Sequence, residues 1–327
     1  MTVLTPLPDR TVSRVLDTCL GVAPGEKVVV LTDPGSDPAV VAGIVAGLED
    51  RRAIALVRAL PEIPMPGAEP PAPIAADLAD AAAGIELTTA FIGSSRARQE
   101  ACRQGTRYVS MPAVIADTFR LGGPYDVDFD AIATTVRRLA RAWEEADTFR
   151  ITTPAGTDLH GSVRGRKGRA LTGVAREPGS YMAPPDIESG TAPVELSSHG
   201  TVVIDGDFLF MGPGPVAAPV SLDIRDGALF ATEGSEASRL LEMMARVDDP
   251  RMVNLAEVSV GLNPRGSVCS VPMETESTKG SAHIAFGNSI AYGGTVDAAA
   301  HLDCVMRDAT VHLDGVPRIV AGELVEP

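Results

Sequence analysis

The chain has 327 residues, which is enough for two domains. Hydrophobic residues make up 45% of it but aromatic residues only 4%, so the sequence predicts cores built from Ala, Val, Leu and Ile. The net charge of −15 argues against nucleic acid and anionic membrane surfaces as partners, because both attract clusters of Lys and Arg.

The first ten residues show no charged start followed by an apolar segment, so we expect no export signal. No apolar run along the chain reaches the ~20 residues that a membrane-spanning helix needs. Four widely spaced cysteines without a Cys-x-x-Cys pair are typical of reduced thiols. Together these features predict a cytoplasmic protein. The cysteines are Cys19, Cys102, Cys269 and Cys304.

The first half alternates predicted strands with predicted helices. This alternation is typical of a mostly parallel sheet covered on both faces. No Gly-x-Gly-x-x-Gly or Gly-Lys-Ser/Thr motif follows the first strand, so a nucleotide role has little support. The predicted strands are 27–32, 52–58, 86–93 and 107–111, and the predicted helices are 11–22, 39–48, 74–83 and 96–104.

A predicted helix over 130–147 closes the first domain or bridges to the second, and the character of the chain changes after it. Short β-like runs, punctuated by Asp-Gly, Gly-Asp and Gly-Pro turns, recur to the end with one helix at 235–245. We therefore predict an α/β domain over residues 1–147 and a mainly antiparallel, β-rich domain over 148–327.

The second half contains all the residues with candidate chemistry. Arg164-Gly-Arg-Lys-Gly-Arg169 is a basic turn in an acidic protein, and we interpret it as a solvated loop or as an anchor for a substrate carboxylate. His160, His199 and His312 lack a strand context that would gather them, so they are interpreted as structural or exposed. No Gly-x-Ser-x-Gly elbow supports Ser-His-Asp catalysis.

The stretch 279–303 carries the clearest pattern. His301 and Asp303 are separated by one apolar residue, and residues i and i+2 of a strand project from the same face. His283 lies in a second β-like run, and Gly287, Gly293 and Gly294 allow a turn between the two. Two imidazoles and a carboxylate that converge from packed strands indicate a site for a first-row divalent metal. The alternative is that each is an ordinary polar residue at a strand end.

Two further carboxylates extend this site. Glu257 lies inside an apolar strand, where an unpaired charge is costly, and Glu188 lies in a loop with Pro on each side. Either could instead form a surface salt bridge. If both reach the site, three carboxylates and two imidazoles suit two metal ions held by a bridging carboxylate. Cys304 adjoins this set but points to the opposite strand face, which favours a core position.

Several motifs of the second half resemble the thermophilic-type metalloaminopeptidases, namely the leucyl aminopeptidases that include aminopeptidase T and aminopeptidase S. The likeness covers nearly all of residues 150–327 and is fainter before them. The motifs are Gly-Thr-Asp-Leu at 156–159, Thr-Ala-Pro at 191–193, Ala-Glu-Val-Ser-Val-Gly-Leu-Asn-Pro at 256–264, Ala-His-Ile-Ala-Phe-Gly-Asn at 282–288, Tyr-Gly-Gly at 292–294 and His-Leu-Asp-Cys-Val-Met at 301–306.

The resemblance implies an aminopeptidase, or a related small-amide hydrolase, that works as a homodimer. It implies two ions of Zn, Co or Mn that activate a bridging water, with Tyr292 and Glu257 as catalytic residues. Tyr292 would donate a hydrogen bond to the developing oxyanion of the peptide or amide substrate. The implied metal ligands are Glu188, Glu257, His283, His301 and Asp303.

The same fold also resembles 2,5-dihydroxypyridine 5,6-dioxygenase, which implies a different chemistry. That family holds one Fe(II) in a triad of two His and one carboxylate. Here the triad would need His301, Asp303 and either His283 or another imidazole. A third possibility is a non-catalytic binding protein on the same scaffold. Retention of Glu188 and Glu257 favours the hydrolase, and the short chain favours the dioxygenase.

Overall fold

The computed structural model of the protein describes residues 5–63 and 67–325. The chain divides into two units. Unit 1 comprises Met1–Ala131 with Leu171–Asp186, and unit 2 comprises Ile132–Ala170 with Ile187–Pro327. Each unit is therefore built from two separate stretches of chain. The division between residues 147 and 148 that the sequence suggests assumes continuous stretches, and it stays a prediction.

The described residues form nineteen strands and seven α-helices, numbered in chain order. The strands are β1 (Lys27–Thr32), β2 (Ile54–Ala59), β3 (Ala83–Glu86), β4 (Arg107–Ser110), β5 (Thr148–Thr152), β6 (Asp158–Ser162), β7 (Arg169–Leu171), β8 (Tyr181–Met182), β9 (Glu188–Thr191), β10 (His199–Ile204), β11 (Asp207–Phe208), β12 (Val220–Arg225), β13 (Ala228–Glu233), β14 (Leu255–Gly261), β15 (Ala282–Gly287), β16 (His301–Met306), β17 (Thr310–Leu313), β18 (Val316–Val320) and β19 (Glu323–Leu324). The helices are α1 (Asp9–Ser13), which continues as a π-helical segment (Arg14–Cys19), α2 (Pro38–Asp50), α3 (Ala72–Ala79), α4 (Arg96–Arg103), α5 (Phe129–Glu145), α6 (Ala237–Val247) and α7 (Pro272–Ser277), with 3-10 turns at Ala116–Phe119, Pro250–Val253 and Ile290–Tyr292.

Unit 1 contains a five-stranded sheet in the order β2-β1-β3-β4-β8, in which every neighbouring pair is parallel. Strand β1 is apolar from Val28 to Leu31, which is typical of a strand with both faces covered. The helix that follows, α2, begins where the Asp37 side chain accepts a hydrogen bond from the backbone N–H of Ala39 at 2.8 Å.

Unit 2 contains two antiparallel sheets. The larger has eight strands in the order β13-β12-β10-β6-β5-β17-β18-β19, and the smaller has six in the order β11-β16-β15-β14-β9-β7. Strands β14 and β15 are buried along their whole length at the centre of the smaller sheet. The predicted fold class, a mostly parallel α/β part followed by a mainly antiparallel β-rich part, is confirmed.

The third predicted strand, 86–93, is wrong. Strand β3 ends at Glu86, whose buried carboxylate accepts hydrogen bonds from the backbone N–H of Ile92 at 2.7 Å and from the hydroxyls of Tyr108 and Ser110 at 3.0 and 2.5 Å. Residues 87–93 therefore fold back around this carboxylate as a loop instead of extending the strand. Across 5–63 and 67–325, none of the helices combines the length and the apolar character that crossing a membrane requires.

Candidate metal centre

Four adjacent strands of the six-stranded sheet carry the five residues predicted as ligands. Glu188 lies on β9, Glu257 on β14, His283 on β15, and both His301 and Asp303 on β16. These strands are hydrogen-bonded neighbours in the order β16-β15-β14-β9. Their side chains on one face converge, so the structure brings all five residues together within unit 2.

Glu257 links the two imidazoles. Its Oε1 lies 3.6 Å from Nε2 of His283, and its Oε2 lies 2.9 Å from Nε2 of His301. Ser259, on the same face of β14, donates its hydroxyl to Oε1 of Glu257 at 2.6 Å. The pairing of β14 with β15 shifts register between Leu255 and Glu257, and such irregularities re-aim side chains beside functional sites.

Glu188 and His283 form a deeply buried pair in the site, with exposures of 2% and 1%. Their Oε2 and Nε2 atoms are 3.1 Å apart, but the geometry makes no hydrogen bond for Oε2. On the other side of the ring, Nδ1 of His283 has no hydrogen-bond partner among the described residues. Buried polar atoms without partners are uncommon and indicate a missing ligand or water.

His301 has a fixed orientation. Its Nδ1 lies 2.7 Å from the backbone carbonyl oxygen of Asn288, which accepts a hydrogen bond from the Nδ1–H group, so that in the neutral imidazole the lone pair lies on Nε2. Nε2 faces Oδ1 of Asp303 at 3.2 Å. The ring of Tyr292 lies parallel to the imidazole, with centroids 4.8 Å apart and an interplanar angle of 8°. The structure therefore places Tyr292 beside the site, stacked on a candidate ligand.

The structure adds Glu276, which the sequence analysis missed. One ligand atom from each of Glu276, His283 and Asp303 lies within 4.8 Å of the others. Glu276 is on the short helix α7 and is 6% exposed, and burial raises its pKa well above the ordinary value, with Asp303 and Glu188 adding to the shift. An acid in a short polar-looking segment carries no burial signal in sequence. The five predicted ligands and Glu276 together supply four carboxylates and two imidazoles. We call this set the metal cluster; its members are Glu188, Glu257, Glu276, His283, His301 and Asp303.

Charges within the metal cluster shift the pKa values of its members. Burial alone would raise the pKa of Glu257, but hydrogen bonds to His283 and His301 hold it below its ordinary value. Burial alone would lower the pKa of both imidazoles. The facing carboxylates, chiefly Glu188 for His283 and Asp303 for His301, instead raise these pKa values well above the ordinary one. The carboxylates thus stabilise positive charge on the buried imidazoles.

The metal cluster fits a first-row divalent cation. Imidazole and carboxylate are the ligand types that Fe, Mn and Zn take in proteins, and a cation would supply the positive charge that the carboxylates demand. Asp303 has a carboxylate oxygen within 4.8 Å of a ring nitrogen of His283, and one within 4.8 Å of a ring nitrogen of His301. The orphaned atoms of Glu188 and His283 are further polar groups that a ligand would satisfy.

The remaining predicted features lie elsewhere. His160 and His199 are exposed and face each other across β6 and β10, and His312 lies on β17 of the same eight-stranded sheet. Cys304 is fully buried. Of the basic turn, Arg164 is exposed and pairs with Asp147 at 2.8 Å.

Comparisons with known proteins identify a family for this chain. A family model described as 2,5-dihydroxypyridine 5,6-dioxygenase (NicX) matches residues 10–326. The chain is 25% identical over 268 residues to the 2,5-dihydroxypyridine 5,6-dioxygenase of Pseudomonas putida strain KT2440. That alignment covers 78% of this chain and 74% of the relative.

Two solved structures share the fold. The structure of 2,5-dihydroxypyridine dioxygenase from Pseudomonas putida KT2440 has a TM-score of 0.78 at 20% identity, covering 98% of this chain and 96% of that one. AmpT from Thermus thermophilus has a TM-score of 0.71 at 16% identity, covering 97% and 98%. At these identities the likeness establishes the architecture and nothing finer.

These matches correct the function predicted from the sequence. The family model and the Pseudomonas relative both name a dioxygenase, so the predicted aminopeptidase or small-amide hydrolase, with its peptide substrate and water activated by two metals, is wrong. The likeness to AmpT explains the error, because the same architecture also occurs outside the dioxygenases. The matches support an enzyme, and the metal cluster makes dependence on a metal plausible.

Proposed function

Because the chain belongs to the 2,5-dihydroxypyridine 5,6-dioxygenase family, we propose that it is an iron-dependent dioxygenase that opens a dihydroxylated nitrogen-containing aromatic ring. The observation that carries the proposal is the family match over residues 10–326, which spans every member of the metal cluster. In the balanced reaction, one ring bond breaks and both atoms of one O₂ enter the product.

The residues that would hold Fe(II) are His283, His301 and Asp303. Asp303 forms one close group with each imidazole, which supports a set of two nitrogen ligands and one carboxylate ligand. Iron held by two His and one carboxylate keeps open positions that non-haem oxygenases use for oxygen chemistry.

The other residues of the metal cluster would surround these ligands with negative charge. Asn288 holds Nδ1 of His301 through its carbonyl oxygen, and a partner on the nitrogen opposite the metal fixes the ring plane and raises the basicity of a ligating imidazole. Oε2 of Glu257 instead faces Nε2 of His301 at 2.9 Å, and Oε2 of Glu188 faces Nε2 of His283 at 3.1 Å. Both carboxylates would therefore lie on the side of the rings that takes the ion and would attract it by their charge.

Exposure differs across the metal cluster, and this indicates from which side substrate arrives. The side chains of Glu188, Glu257 and His283 are at most 2% exposed, whereas those of His301 and Asp303 are 22% and 16% exposed. The ring to be opened would therefore approach over His301 and Asp303. The buried side would exclude water, which strengthens the electrostatic interactions of the carboxylates.

The test is an oxygen-uptake assay on protein reconstituted with Fe(II) under anaerobic conditions, using 2,5-dihydroxypyridine as the probe. We expect one O₂ consumed for each ring opened, with both atoms of isotopically labelled O₂ found in the product by mass spectrometry. Elemental analysis should give one iron per chain. His301→Ala should abolish turnover, and the matched control His199→Ala, on the exposed face of the other sheet, should not.

Turnover without added metal, or product that carries no oxygen from O₂, would overturn the proposed function. Two metal ions per chain in the active protein would instead assign Glu188, Glu257 and Glu276 as ligands of a second ion. The homodimer and the cytoplasmic location expected from the sequence stay predictions.

A further inference from the structure

The basic turn Arg164–Arg169 contacts the segment that carries Tyr292. Arg166 donates from Nη1 to the carbonyl oxygen of Gly293 at 2.7 Å, and Arg169 donates from Nη1 to the carbonyl oxygen of Ala291. Two guanidinium groups from one turn therefore hold the backbone on both sides of Tyr292. Arg166 and Arg169 thus attach the turn to this segment while Arg164 is exposed, and a role of the turn in anchoring a substrate carboxylate stays a prediction.

Arg166 is itself held in place from a second direction. Its Nη2 donates to the carbonyl oxygen of Pro193 at 3.2 Å and pairs with the carboxylate of Glu195. The other oxygen of Glu195 accepts from the backbone N–H and the hydroxyl of Thr295 at 2.8 and 2.9 Å. The Tyr292 segment is thus fixed at residues 291, 293 and 295.

Arg169 also covers the ring of Tyr292. Its Cζ lies 4.8 Å from the ring centroid, the distance of a cation–π contact, and the same ring stacks on the imidazole of His301. The ring of Tyr292 therefore contacts both Arg169 and His301.

We propose that Arg169 is a positioning residue for the metal ligand His301, acting through the ring of Tyr292. The stack of guanidinium, phenol and imidazole sets the plane of the His301 ring, while Asn288 of the same segment fixes its Nδ1. Both restraints on the imidazole come from one piece of backbone, and Arg169 holds that backbone. This inference rests on the metal site of the proposed function but not on its reaction.

The experiment measures Co(II) binding to metal-free full-length protein, because the visible absorption of Co(II) reports the geometry of its ligands. Arg169→Ala should weaken Co(II) binding about 10- to 100-fold, as expected for the loss of a residue that orients a metal ligand, and should alter the absorption bands. Arg169→Lys should recover part of the loss, since an ammonium group can still sit over the phenol ring.

Arg164→Ala is the matched control. It removes the same charge from the same turn, but Arg164 pairs with the exposed Asp147, so the variant should leave both readouts unchanged. Wild-type affinity and spectrum in Arg169→Ala, or equal losses in the two variants, would overturn the proposal. So would a wild-type protein that binds no Co(II). If circular dichroism shows Arg169→Ala to be unfolded, Arg169→Gln decides by the same criteria.

The outcome is separable from that of the proposed function. Co(II) affinities in the expected order, together with no O₂-dependent ring opening, would refute the dioxygenase function and support the positioning role of Arg169. Ring opening by the wild type, together with unchanged Co(II) binding by Arg169→Ala, would support the dioxygenase function and refute the positioning role.

Discussion

The carboxylate of Glu257 lies 2.9 Å from the imidazole of His301, although 44 residues separate them in the chain. Glu257 is fully buried, and its other oxygen faces His283 at 3.6 Å. One carboxylate thus restrains both imidazoles, and its negative charge helps to attract a cation.

Replacing Glu257 by Gln should weaken metal binding while keeping the shape of the site. The amide removes one negative charge and turns one of its two atoms into a donor that faces an imidazole. We expect Fe(II) affinity to fall at least about 10-fold, the lower end for loss of a residue that orients a ligand, measured by anaerobic calorimetry. Glu233→Gln, on the exposed strand β13, is the charge-matched control. Equal affinities in the two variants would contradict the role given to Glu257.

Gly190→Ala should destabilise unit 2 because strand β9 lies against β14 with no room for a side chain. A Cβ at this position would lie 1.8 Å from Oγ of Ser259 and 2.3 Å from the carbonyl oxygen of Val258. The second contact is with backbone, so rotation of a side chain cannot relieve it. We expect a loss of ~1–3 kcal/mol or more in the free energy of unfolding, measured with urea, as for other overpacked cores. A variant as stable as the wild type would show that the two strands can separate without cost.

Chelation should lower the thermal midpoint of the iron-loaded protein. A ligand that binds only the folded state adds stability of about 2.7 kcal/mol when its free concentration is 100 times its dissociation constant. A chelator should therefore lower the midpoint of the wild type, measured by calorimetry, and leave that of His301→Ala unchanged. If both proteins responded equally, the metal would be bound outside the metal cluster.

Asp33 should make unit 1 sensitive to acid. Burial alone would raise its pKa, but hydrogen bonds from the hydroxyl and backbone N–H of Thr89, with others from Ser36 and Gly35, hold the pKa below its ordinary value. A lowered folded-state pKa stabilises the fold above the unfolded value of ~3.9, and that stability is lost as pH falls through the folded pKa. The difference in unfolding free energy between wild type and Asp33→Asn should thus be full at pH 7 and shrink below pH ~4. Asp50→Asn, at the exposed end of α2, is the charge-matched control.

That the five predicted ligands come together in space could be anticipated from the sequence because strand geometry is local. The i, i+2 spacing of His301 and Asp303 requires one shared face, and an acid such as Glu257 inside an apolar strand needs a buried partner. Glu276 was not predicted because its burial depends on which sheet helix α7 packs against. The loop around Glu86 was not predicted for a similar reason, since two hydrogen bonds to the Glu86 carboxylate come from the neighbouring strand β4.

The chemistry was harder to predict than the grouping of these residues. Carboxylates and imidazoles serve hydrolysis with two metals and oxygen chemistry with one, so residue types alone did not separate the two. The extra acids Glu188 and Glu257 favoured the wrong reaction. In the structure Glu257 hydrogen-bonds with the imidazole of His301, and Glu188 faces the imidazole of His283. These contacts need no second metal ion.

The interleaved path of the chain has a consequence for synthesis. Strand β8, the last strand of the parallel sheet, lies beyond the whole first stretch of unit 2. On a ribosome, unit 1 therefore cannot complete its sheet until the chain has emerged past residue 182, when part of unit 2 is already outside the exit tunnel. Expression of either unit alone would need two segments joined by an artificial linker, because no single cut yields an intact half.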